Sequence, residues 1–222
     1  MVTTEICVFT LLDTITLPDL LDPSSIHKSS IATVRSQPGC QSFHWGIGIQ
    51  DPQKLFWFIE WDSLSSHQLF QSHPSYPSFA STLITTLTNP SSDSPISVLH
   101  YNLPTPLSTF PSSPKKPYLE YFSLPTIPSS NSSISSTFET LGAALSTYDP
   151  EGGEGGKAIP STYAFSIDEG HENLVVSLIG WKDKDQHAAF LKTDAFAKAE
   201  PEMRGVAAGP PTAVHVDLQE WE

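Results

Sequence analysis

Phe58–Phe70, FIEWDSLSSHQLF, runs from an apolar strand end through a tryptophan into a polar turn and the start of a helix. The same spacing returns at Leu178–Phe190, LIGWKDKDQHAAF, where Ile179, Trp181, His187 and Phe190 match Ile59, Trp61, His67 and Phe70, each 120 residues on. An internal repeat of this kind predicts two similar halves in tandem. Ser63 and Asp183 each fall two residues after the tryptophan, where a side-chain oxygen caps the free amides of the helix that follows. Once the cap is fixed, His67 and Phe70 share a helix face, as do His187 and Phe190.

The same order of elements can be read on both sides. In the first half EICVFTLL alternates as a strand, and SIHKSSIATVRSQ has helical spacing up to Pro38-Gly39. CQSFHWGIGI and KLFWFIEW form two strands around Gln50–Gln53. Then come the Ser63 helix, a helical stretch from Phe79 to Leu87 and the strand ISVLHYNL. The second half repeats this with YLEYFSL, a helix from Ile134 to Leu145, the loop EGGEGG, STYAFSI, NLVVSLIGW, the Asp183 helix and TAVHVDL. Between them NLPTPLSTFPSSPKKP reads as a semi-rigid spacer. The expected division is a lobe over 1–103, a linker over 104–117 and a second lobe over 118–222. The order βαββαβ, twice, is the α+β arrangement of ferredoxin-like lobes. Strands apolar on both sides, such as LFWFIEW, fit two such sheets covering one another.

A net charge of −13, from 11 Lys and Arg against 24 Asp and Glu, argues against nucleic acid and anionic membrane as partners, since both reward clustered basic residues. No stretch approaches the roughly 18–20 apolar residues of a membrane-spanning helix. MVTTEICVFTLLDTITL lacks a basic leader and reads as a first strand, which sets the expectation of a cytoplasmic protein. Cys7 and Cys40 lack any metal-ligand or disulfide spacing and read as small buried hydrophobes.

Strand, Trp, capping Ser or Asp, then an apolar helix leading into HPSYPSFAS or TDAFAKAE resembles the dimeric α/β-barrel superfamily, in its antibiotic-biosynthesis monooxygenase and stress-responsive branches. The resemblance covers both lobes. It implies a tandem fusion, of a fungal type by its Ser- and Pro-rich loops, in which two ferredoxin-like lobes form within one chain the barrel that relatives form by dimerising. A monomeric pseudo-dimer or weak homodimer follows. The superfamily includes cofactor-free oxygenases, cyclases, decarboxylases, isomerases, haem-degrading enzymes and proteins without known reaction. The plant polyketide cyclase of the superfamily uses a tyrosine and a histidine at positions that correspond here to Phe70 and Tyr76, so its dyad is not reproduced. The haem-ligand histidine of the superfamily finds no clear counterpart.

No G-x-S-x-G elbow, P-loop or H-x-x-x-H pair is present, and His67 and His73 do not share a helical face. No metal or other cofactor is therefore expected. In FHWGIGI, His44, Gly46 and Gly48 share one face, so the glycines leave either close packing or a pocket with His44 on its wall. Glu60 interrupts an apolar run, and a carboxylate in a sheet buried on both sides must be hydrogen-bonded, paired or protonated. Its counterpart is Gly180, which confines any chemistry of this acid to the first lobe. His67 reads either as a support for the tryptophan or as a group titrating near neutrality.

The expected function is a cofactor-independent enzyme acting on an aromatic or polyketide-like small molecule in secondary metabolism, by oxygenation or a proton-transfer-driven rearrangement. His44, Glu60 and His67 are its catalytic candidates. Trp45, Trp57, Phe70, His73 and Tyr76 are expected to bind the substrate, with Tyr163 and His187 lining a second pocket. The alternative is a non-catalytic small-molecule-binding or stress-associated barrel whose histidines are structural.

Overall fold

A computed structural model describes residues 2–110, 118–148 and 158–219. The EGGEGG loop and the second half of the expected linker lie outside the described residues. Contacts divide the chain into two units. One is Met1–Asn102 with Pro106–Ser108 and Val216–Glu222, and the other is Leu103–Thr105 with Thr109–His215.

The first lobe is β1 (Thr3–Thr10), α1 (Leu17–Leu21), α2 (Ile26–Arg35), β2 (Cys40–Gly48), β3 (Lys54–Trp61), α3 (Leu64–Gln71), α4 (Tyr76–Leu87) and β4 (Ile96–Tyr101). Its antiparallel sheet has the order β4-β1-β3-β2. The second lobe is β5 (Tyr118–Pro125), α5 (Asn131–Thr147), β6 (Ser161–Phe165), β7 (Leu174–Trp181), α6 (Lys184–Phe190), α7 (Asp194–Val206) and β8 (Thr212–Gln219), in the order β8-β5-β7-β6. The architecture is α+β, with βαββαβ repeated in tandem, as the repeat predicts. The short α1 and the full α7, which runs through Pro201, are additions to the elements read from sequence.

The repeated joint is built as its residues dictate. The Ser63 hydroxyl accepts from the Ser66 amide at 3.3 Å, and Asp183 accepts from the Asp185 and Gln186 amides at 3.1 and 2.9 Å. The caps fix where α3 and α6 begin, and so seat His67 and His187 over the rings of Trp61 and Trp181, with centroids 5.1 and 4.9 Å apart. Gly39 has φ +89°, which a side chain tolerates poorly, and a Cβ there would also collide with Ser66.

The helix-facing side of the first sheet is filled. Phe9, Trp45, Leu55 and Trp61 have no measurable exposure, and Phe43, Trp57, Ile59, Phe70, Leu83 and Leu87 complete the core. The space above Gly46 is occupied as well, because β2 pairs with residues 216–219 and a Cβ on Gly46 would meet the Asp217 carbonyl. Residues 104–110 of the expected linker are among those described. Residues 107–109 form a 3-10 turn, the Ser108 amide reaches Glu60, and Phe110 packs beside Gly180, where a Cβ would sit 3.1 Å from its ring. That packing, together with Pro160 at 2.9 Å, accounts for glycine at the position matching Glu60.

Candidate functional site

A cavity of about 740 Å³ lies in the second lobe, between the β5–β7 face and the helices α5, α6 and α7. Strand register explains its location. Trp57 in β3 stands opposite Cys7 and Trp45, and Ser177 holds the same place in β7, opposite Phe122 and Tyr163. Phe43 opposite Ile59 likewise becomes Ser161 opposite Ile179. Two large aromatics that fill the first lobe are thus serines in the second, and both serines line the cavity. The remaining wall is mostly apolar, with Phe138 stacked on Tyr163 at 5.0 Å.

Polar groups enter this wall through a device present in both lobes. In the first, Glu5 Oε2 accepts from Trp61 Nε1–H at 2.8 Å and lies 3.4 Å from His67 Nε2, while His67 Nδ1 lies 2.7 Å from His100 Nε2. In the second, Glu120 Oε2 accepts from Trp181 Nε1–H at 2.8 Å and lies 3.5 Å from His187 Nε2, and His187 Nδ1 lies 2.9 Å from His215 Nε2. A carboxylate only accepts, so in a neutral His187 the proton belongs on Nε2 and Nδ1 accepts from His215. Burial, reinforced by the neighbouring His187, pushes the His215 pKa down to about 4, which keeps that imidazole neutral and able to donate. Glu120, Trp181 and His187 line the cavity, and His215 stands behind them, stacked on Tyr118 at 4.4 Å.

Each cluster brings three metal-ligand atoms within 4.8 Å of one another. In both, however, the middle histidine turns one ring nitrogen to the carboxylate and the other to the second imidazole. The donors form a chain instead of converging on one point, so the arrangement suits proton and hydrogen-bond relay better than metal ligation.

The residues singled out in the sequence fall in four places. His44 and Glu60 share the sheet face opposite to that of Trp57 and Trp61, while His67 lies on the Trp61 side, so these three do not form one site. Glu60 is 2% exposed and accepts from the Ser42 hydroxyl at 2.5 Å and the Ser108 amide at 3.3 Å, satisfying a buried carboxylate without ligand. His44 is held below the ordinary histidine range by burial, against the pull of Glu60, and its Nε2 has no hydrogen-bond partner among the described residues. Trp45, Trp57, Phe70 and Tyr76 belong to the packed core, and His73 is exposed and bonded to Ser75. Tyr163 and His187 both line the second-lobe cavity.

Glu5, His100, Glu120 and His215 are not among the residues that the sequence points to. Each lies in a strand legible in the sequence, but the matching pairs are 115 residues apart, so the offset of 120 does not align them. The Trp57 to Ser177 exchange does lie at 120 and was the readable signal for the cavity.

No family model and no curated protein sequence matches the chain. Solved structures do. A proposed monooxygenase from Lactobacillus acidophilus aligns with 98% of this chain and 93% of its own, at a TM-score of 0.64 and 9% identity. An anthrone oxidase-like protein aligns over 99% and 92%, at 0.66 and 15%. A proposed monooxygenase from Fusobacterium nucleatum aligns over 99% and 93%, at 0.66 and 9%. The chain shares their fold. At these identities the likeness extends to architecture, and the site rests on the chain's own residues.

Proposed function

We propose that the second lobe is the working lobe of a cofactor-independent enzyme that takes an aromatic or polyketide-like small molecule, in a pathway of secondary metabolism, and that the first lobe is its packed counterpart. One observation carries this: the Trp–Glu–His–His device occurs twice, and in the second lobe it faces a cavity where the first has Trp57 and Phe43. The volume lies in the range of small-molecule sites, about 300–1,000 Å³, and an apolar wall with few polar groups is their usual chemistry. The Glu120–His187 pair is suited to drawing a proton from an activated phenol or carbon acid. Relatives of the same fold named as monooxygenases and as anthrone oxidase-like support oxygenation as the reaction to test first.

With anthrone, removal of the ring C–H proton gives an enolate that dioxygen oxidises, consuming one O₂ and yielding anthraquinone and water. An oxygen electrode should record uptake by the wild-type protein. Ser177→Trp, which restores the first lobe's residue, should abolish uptake while the protein still folds. Unchanged uptake in that variant would refute the second-lobe assignment.

The packed first lobe favours a second reading. Glu5, Trp61, His67 and His100 form the same device there as buried structure. A non-catalytic binding protein would then bind anthrone without consuming oxygen.

A further inference from the structure

The two copies of the device differ at one oxygen. Glu5 has both carboxylate oxygens engaged, Oε2 by Trp61 and His67 and Oε1 by the Cys7 thiol at 3.1 Å. Burial and the Glu5 charge raise the Cys7 pKa well above the ordinary thiol value, so Cys7 stays protonated and donates. Two residues beyond Glu120 the chain has Phe122, whose ring cannot donate and lines the cavity. Trp181 and His187 both address Glu120 Oε2, and Oε1 has no hydrogen-bond partner among the described residues. That oxygen belongs to a residue that is only 9% exposed and lines the cavity. A buried acceptor left unpaired is costly.

We propose that Glu120 Oε1 is the polar anchor of the cavity and accepts a hydrogen bond from a neutral, hydroxyl-bearing aromatic ligand, such as a phenol or enol. This assignment rests on the second lobe being the binding lobe. The wall carries further carboxylates, Glu139 and Glu200, and the one arginine among its described residues, Arg204, is held by Glu200 at 2.6 Å. A ligand that donates fits that field, and an anionic ligand meets repulsion. The exchange of Cys7 for Phe122 is what frees the oxygen.

The test compares 2-naphthol with its methyl ether, 2-methoxynaphthalene, by calorimetric titration. The two probes differ in the hydroxyl hydrogen and a methyl group. A hydrogen bond to a charged group predicts that wild type binds the naphthol roughly ten- to a hundredfold more tightly. In Glu120→Gln the amide oxygen is held by Trp181 and His187, so the NH₂ faces the cavity and the naphthol's advantage should vanish. Phe122→Cys returns the thiol of the first lobe and should shrink the advantage without altering the carboxylate. Equal affinity for the two probes in wild type, or a preference that survives both substitutions, overturns the anchor while leaving the cavity reading intact. Binding of neither probe overturns the cavity reading and the anchor with it.

Discussion

His27 is fully buried, donates from Nδ1 to the Leu20 carbonyl at 3.0 Å, and accepts from Trp57 Nε1–H at 3.1 Å through Nε2. Trp45 lies edge-on to it at 4.3 Å. Both nitrogens are committed to a neutral ring, and burial pushes its pKa down to about 4, against 6.5 for a free histidine. Between these values the unfolded chain binds a proton that the folded one refuses. Stability is therefore complete above about pH 6.5 and is lost as pH falls toward 4. The loss should reach about 2 kcal/mol at pH 5 relative to pH 7. Urea titrations at the two pH values measure it directly. His27→Ala should be less stable at pH 7, by about 2–4 kcal/mol, because it opens space beside Trp45 and leaves the Trp57 N–H unpaired. Its further loss on going to pH 5 should be the smaller of the two, and a variant as acid-sensitive as wild type would remove His27 as the cause.

At the scale of elements, α5 has a glycine where a helix gains from a side chain. A Cβ on Gly142 would meet only Ser161 Oγ, at 3.9 Å, and Gly142 lines the cavity. Gly142→Ala should stabilise the protein by about 0.5–1 kcal/mol through helix propensity, and Gly142→Phe should obstruct ligand entry. Paired melting curves and naphthol titrations separate the two effects. The elements themselves were largely legible, because a capped helix after a strand and a tryptophan leaves a local signature in both halves. The site was less so. His67 and His187 were visible beside their tryptophans, but the carboxylates and second histidines that complete each device come from strands distant in sequence. Glu60 is the odd charge in an apolar strand, yet its burial is met by Ser42 and the Ser108 amide. The cavity depends on what two serines leave unfilled, and an absence of bulk becomes meaningful only when register shows what stands in the same place in the other lobe.

For the molecule as a whole, two lobes with the same strand order have diverged in what their helix-facing interiors contain. Trp57 and Phe43 make the first a packed body, and Ser177 and Ser161 leave the second with room for a ligand. A bound ligand stabilises the state that binds it, by about 2.7 kcal/mol at a hundred times its dissociation constant. That stabilisation should be unevenly distributed. Hydrogen exchange with saturating 2-naphthol should slow in α5, β7, α6 and α7, whose side chains line the cavity, and should be unchanged in α2 and β3 of the first lobe. The first lobe's aromatics can be removed as a cross-check. Trp57→Ser gives β3 the residue of β7, deletes the bond to His27 and should cost about 3–5 kcal/mol, the range for removing a large buried aromatic. The naphthol's affinity for the second lobe should survive it at a temperature where the variant remains folded. Slowing of exchange confined to β3 and α2 would instead place the ligand in the first lobe, and the exchange map would then assign binding to the half that its packing argues against.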